Sequence, residues 1–107
     1  MNAHDLDFSG LSDIDRMVHE PARLMVMASL FVVDSADYTF LMRQAGLTWG
    51  NLSAHLSKLE DAGYIQIEKT YRGKRPYTLV RLSENGRAVF KSYVAQMKTV
   101  FGSLDAN

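Results

Sequence analysis

A chain of 107 residues without cysteine, 47% hydrophobic and 22% charged, is long enough for one domain with its own core. It excludes a disulfide framework, Cys-ligated zinc and a cysteine nucleophile. The formal net charge is zero, but the charge is segregated. Residues 1–42 carry seven acids against two bases, residues 43–82 seven bases against three acids, and residues 83–107 three bases against two acids. A local field, not the chain total, steers an anion. No apolar run approaches the ~20 residues that cross a bilayer. The start, MNAHDLDFSG, lacks the basic-then-apolar order of a signal peptide. These features predict a single cytoplasmic domain over 1–107, with no membrane partner.

Residues 1–11 read as an N-terminal tail. Ser12 and Asp15 have the spacing of a capping box, which predicts a short helix through His19. Pro21 suits the first turn of a second helix. Leu24, Met25, Met27, Ala28, Leu30, Phe31 and Val32 crowd that helix, so it is expected to be buried on most sides and to end near Val33. Tyr38-Thr39 is a candidate for a single strand pair, and Phe40–Ala45 for a short helix. Gly46 stands where a left-handed residue ends a helix, and Thr48 is a good N-cap for the next. That helix is expected over about Trp49–Ala62. Leu52, Leu56 and Leu59 form its buried stripe, and Gly63 stops it. Ile65 and Ile67 then alternate with Gln66 and Glu68, the period of a half-buried strand. Tyr77–Leu82 is a second β-like run, and Arg72-Gly73-Lys74-Arg75-Pro76 is a basic turn between them. Ser83 caps a last helix, on which Phe90, Tyr93, Val94, Met97, Val100, Phe101 and Leu104 recur every three or four residues.

The expected fold is mainly α with a small β-hairpin: a helix-turn-helix over 40–62, a wing over 64–82 and a long last helix over 83–104. With its leucines turned inward, the helix after Thr48 offers Thr48, Trp49, Asn51, Ser53, Ala54, His55 and Lys58 outward. Small and hydrogen-bonding side chains near a helix N-terminus suit a DNA major groove. Asn51 and Ser53 are candidates for base edges or phosphates. Trp49 either packs on sugar–phosphate or staples the helix start. His55 is a candidate for either DNA contact, and Lys58 for phosphate. In the wing, Arg72, Lys74 and Arg75 suit phosphates, with Arg75 beside rigid Pro76 the candidate for minor-groove insertion. Arg43 either touches the DNA backbone or is solvated.

The segment LTWGNLSAHLSKLEDAGY, followed by IQIEKTYRGKRPYTLVRLSENGRAVF and preceded by PARLMVMASL, resembles the winged helix-turn-helix transcriptional regulators of the MarR/ArsR type. The likeness is strongest to their small single-domain winged-helix DNA-binding branch and covers roughly residues 14–101. It implies a homodimeric regulator, most often a repressor, whose terminal helices form the dimer interface. The apolar stripe from Phe90 to Leu104 then faces a symmetry mate. Two recognition helices would enter major grooves about 34–36 Å apart on a near-palindromic operator, read by helix 48–62 and wing 70–77.

Rival readings are a winged helix used as a protein-interaction module, and a regulator gated by a small-molecule effector in a pocket near the dimer interface. No metal or cofactor is expected: Asp15 and His19, four residues apart, are too few ligands. Met17, Met25, Met27, Met42 and Met97 read as core filling. No Gly-rich phosphate loop or recognisable catalytic constellation is present, so an enzyme is not expected.

Overall fold

The computed structural model describes residues 2–5 and 7–105; residues 1 and 6 of the expected tail, and 106 and 107, lie outside them. In order, the elements are α1 (Pro21–Val32), β1 (Ala36–Asp37), α2 (Tyr38–Ala45), α3 (Trp49–Asp61), β2 (Ile65–Arg72), β3 (Arg75–Leu82) and α4 (Glu84–Gly102). The three strands form one antiparallel sheet in the order β1-β3-β2.

Side-chain caps set most of the boundaries. Glu20 accepts from the Arg23 amide at 2.8 Å and Pro21 follows it at the start of α1. Asp37 accepts from the Phe40 amide at 2.8 Å, and Thr48 from the Asn51 amide at 3.2 Å. Gly46 ends α2 with φ 64°, a conformation open to glycine at little cost. Gly73, also at φ 64°, is the first residue of the two-residue turn between Arg72 and Arg75.

The leucine stripe of α3 closes on the centre of the molecule. Leu52, Leu56 and Leu59 are fully buried with Val26, Met27 and Leu30 of α1 and Leu41 of α2. Ile65, Val80 and Leu82 roof this core from the sheet, and Phe90 and Tyr93 close it from α4. Among the described residues no helix is long and apolar enough to cross a membrane.

Two expectations need correction. The helix over Ser12–His19 does not form. A 3-10 segment spans Ser9–Asp13, and the Ser12 hydroxyl donates back to the Ser9 carbonyl at 2.7 Å. Asp15 instead accepts from the Met17 and Val18 amides at 2.8 and 3.3 Å and from the Tyr64 hydroxyl. Such local bonds compete with helix. The short strand lies one pair earlier than expected, because Asp37 is needed as the cap of α2 and Tyr38 is its first residue. As expected, α1 is buried on most sides: it packs against α2, α3, β3 and α4, and only one stripe, Pro21, Met25 and Val32, is exposed.

The Asp15–Tyr64 bond has a pH consequence. The Asp15 carboxylate accepting its hydroxyl, with burial, pushes Tyr64 up to about 12. An unfolded tyrosine ionises near 10. The folded value is the higher one, so the stabilisation is complete below about pH 10 and is lost as pH rises through about 12. Tyr64→Phe should remove the late component of a phenolate absorbance titration and flatten the melting temperature across that window. An unchanged late component would place it on another tyrosine.

Candidate nucleic-acid interface

With its leucines inward, α3 exposes Trp49, Gly50, Asn51, Ala54, Ser57 and Lys58, while Ser53 and His55 are half-buried at the flanks. Asn51, His55 and Lys58 follow one another at i, i+4 and i+7, a single stripe beside the leucines. Thr48 is exposed; its hydroxyl oxygen accepts the capping bond and its proton stays available to donate. The Trp49 ring lies 5.9 Å from that of Tyr38, so it braces the start of α3 and keeps an exposed face. Arg43 is exposed in the last turn of α2.

The hairpin divides the basic residues between two faces and a tip. Ile65 opposite Leu82 and Ile67 opposite Val80 face the core. Strand alternation carries the same face outward to Lys69 opposite Thr78 and Tyr71 opposite Pro76. Tyr71 is 72% exposed. The other face holds Arg72 directly opposite Arg75. Arg72 stacks over the Tyr77 ring, 4.4 Å from its centroid, and reaches the Tyr77 hydroxyl at 3.2 Å. Lys74 stands in the turn. Nearer the body, Arg81 pairs with Glu68 at 3.0 Å. Two like charges facing across a strand pair are unfavourable, so Arg72 and Arg75 form a position where an anion is welcome.

The helix and the hairpin are walls of one open cleft of about 430 Å³. Trp49 and Ser53 line it from α3, Tyr38 from α2, and Lys69, Pro76 and Thr78 from the hairpin. Burial raises the Tyr38 phenol, and the nearby Glu60 carboxylate adds to the effect; the group stays a neutral donor at ordinary pH. Lys69 and Tyr71 were not among the expected site residues. Continuing the Ile65, Ile67 alternation by four residues would have found both. Ser57 would likewise have come from extending the outward helical face.

His55 is engaged more than expected. Its Nδ1 lies 3.2 Å from Nη1 of Arg23 and 3.7 Å from the Glu20 carboxylate. Burial opposes the charge of Glu20, but the Arg23 and Ala22 amides, with the Arg23 guanidinium beside it, hold its carboxyl below the usual range. Asp15 and His19 do not converge: Asp15 faces Tyr64, while His19 Nδ1 lies 2.7 Å from the Tyr93 hydroxyl.

The stripe expected to face a second copy also divides. Phe90, Tyr93 and Val100 are buried within the protomer. The first two belong to the core, and Val100 lies beside Gly10 of the N-terminal segment, whose carbonyl accepts from Gln96 at 2.7 Å. The chain's own segment Ser9–Asp13 therefore uses part of the broad apolar face of α4. What stays open is a groove of about 450 Å³ lined by Leu24, Val94, Met97 and Phe101, with Phe101 54% exposed, and Leu104 exposed nearby in sequence.

The family described as winged helix DNA-binding domain matches residues 22–101. An uncharacterised protein of Methanocaldococcus jannaschii is 28% identical over 82 residues, covering 77% of this chain and 89% of its own length. The structure of a transcriptional regulator homologue from Pyrococcus horikoshii superposes with a TM-score of 0.85 at 28% identity, over 92% of this chain and 99% of that one. A putative MarR-family transcriptional regulator from Enterococcus faecalis shares the fold with a TM-score of 0.71 at 22% identity, over 99% and 98% of the two chains.

Proposed function

The chain belongs to the winged helix DNA-binding domain family, and from that premise we propose that it is a cytoplasmic, homodimeric transcriptional regulator. It binds a near-palindromic duplex and represses by occluding a promoter. The observation that carries this reading is the cleft shared by α3 and the hairpin, with Trp49 and Ser53 of the helix on one side and Lys69 of the hairpin on the other; the outward helix face and the basic turn adjoin it in sequence. In this reading the face from Thr48 to Lys58, including Asn51, Ser53 and Ala54, enters the major groove. Lys74 and Arg75, with Arg72 and Lys69 beside them, meet phosphates and the adjacent minor groove.

Fluorescence anisotropy tests it, with a labelled duplex from the region upstream of the protein's own coding sequence. Titrations at several salt concentrations, against scrambled competitor, should show binding that falls steeply with salt and resists the competitor. A folded protein that binds no duplex at low salt would move the assignment to a protein-interaction module. Asn51→Ala should relax preference at one operator position by ~1–3 kcal/mol if its contact is bidentate.

The second copy is assigned to the groove of Leu24, Val94, Met97 and Phe101. A charge there cannot be desolvated without a partner. Phe101→Arg should therefore sediment as a monomer and lose most of its operator affinity. A variant that remains dimeric would place the interface elsewhere. A melting temperature raised by added small molecules, with the dimer intact, would mark the groove as an effector pocket instead.

A further inference from the structure

Arg23 lies in the first turn of α1, yet its side chain serves α3. It is only 12% exposed. Nε donates to the Met17 carbonyl at 2.7 Å, and Nη2 reaches the Arg16 carbonyl at 3.5 Å. Nη1 points at His55 Nδ1, 3.2 Å away. Glu20 closes the cluster, 4.0 Å from Nη1 and 3.7 Å from Nδ1, while its carboxylate also caps α1.

The chemistry of these atoms decides how the imidazole is set. A guanidinium has donors only. The atom facing Nη1 at hydrogen-bond distance is therefore an acceptor, and the ring proton sits on Nε2. Fixing one ring nitrogen fixes the role of the other. The His55 side chain is 22% exposed, and Nε2 has no hydrogen-bond partner among the described residues. No buried side-chain nitrogen or oxygen among those residues lacks a partner, so Nε2 opens to solvent. It does so from the stripe that also carries Asn51 and Lys58.

We propose that Arg23, itself placed by Glu20, holds His55 as an oriented Nε2–H donor for an acceptor on duplex DNA. One hydrogen bond of the recognition helix is thus set from α1. The proposal rests on the DNA-binding reading above. Its physical advantage is preorganisation: the ring's tautomer and tilt are settled before DNA arrives, and the helix needs no reorientation. Arg23 is then a positioning residue that spends its own charge inside the protein, and His55 is the contact.

The test uses the full chain and two amide substitutions. The side-chain nitrogen of glutamine falls near Nε2 of histidine, and that of asparagine near Nδ1. A long-range proton–nitrogen correlation spectrum of the imidazoles, assigned by the signal lost in His55→Gln, should show His55 protonated at Nε2 and bare at Nδ1. A ring protonated at Nδ1, or at both nitrogens against Glu20, overturns the proposal. In anisotropy with the upstream duplex, His55→Gln should bind within about threefold of the wild type and His55→Asn about tenfold more weakly. Equal binding by both variants, or equal loss, overturns it as well. A loss in His55→Asn that is uniform across singly substituted duplexes identifies a phosphate oxygen as the acceptor. A loss confined to one base pair identifies a base edge. If the wild-type protein binds no duplex, the DNA-binding reading fails first and takes this contact with it; unchanged binding by the variants fails the contact alone.

Discussion

Replacing Arg72, Lys74 and Arg75 together with alanine is expected to weaken binding to every duplex and to flatten the dependence of affinity on salt. Each phosphate neutralised contributes about 0.9 to the slope of log affinity against log salt. Three side chains per protomer, doubled in a homodimer, give a reduction of about 5 if all make contact. The geometry argues that the fold will survive. Lys74 occupies the turn, and Arg72 is engaged only with the exposed side of Tyr77. Removing the like charges opposed at positions 72 and 75 relieves repulsion in the free protein. The triple variant should therefore melt close to the wild-type temperature, the relieved repulsion offsetting the lost stacking of Arg72 on Tyr77, while it loses affinity. An unchanged melting temperature separates a binding defect from a folding defect. A variant that keeps both its affinity and its salt slope would remove the hairpin tip from the interface. Lys69→Ala, on the inner face of the hairpin, should lower the slope by a smaller step for the same reason.

What could be read from the residues alone follows the range of the interactions involved. The α3 stripe of Leu52, Leu56 and Leu59, the caps Thr48 and Ser83, and the turn at Gly46 are local, so their spacing placed them. The hairpin was legible as two runs, but the basic tip was read as one cluster. The pairing of Arg72 with Arg75 and the stacking on Tyr77 divide it by face, and that division depends on register. Positions fixed by distant partners were not legible. Asp15 has the spacing of a capping residue, yet its carboxylate meets Tyr64, 49 residues away. The Arg23–His55 contact spans 32 residues. The apolar face of α4 could be counted, but the share taken by the N-terminal segment could not. The Gln96–Gly10 bond that docks it joins residues 86 apart.

Gly86 is the position where a single methyl group should cost most. It lies in the first turn of α4, where its amide donates to the capping Ser83 hydroxyl oxygen at 2.9 Å. That hydroxyl in turn donates to the Gly63 carbonyl at 2.6 Å, and the Ser83 amide donates to the Tyr64 carbonyl at 3.0 Å. The start of α4 is thereby pressed onto the backbone that links α3 to β2. A Cβ on residue 86 would stand 1.9 Å from the Tyr64 carbonyl oxygen and 2.7 Å from its carbon. These are backbone atoms, with no flexible side chain to move aside. Alanine would gain roughly 0.5–1 kcal/mol in helix propensity over glycine. The overlap outweighs that gain, because relieving it means separating α4 from Tyr64 and breaking two capping bonds. We expect Gly86→Ala to destabilise by at least about 3 kcal/mol, the upper end for overpacking. In a domain of this size that lowers the melting temperature by more than about 10 °C. Gly50→Ala is the control, since a Cβ there meets nothing within 4 Å and the residue lies outside the groove assigned to the second copy; it should leave the melting temperature unchanged or raise it slightly. A Gly86→Ala protein that melts with the wild type would mean that α4 can slide on the α3–β2 junction at little cost. Because α4 also carries the groove assigned to the second copy, loss of this seat should loosen the dimer and weaken DNA binding in parallel.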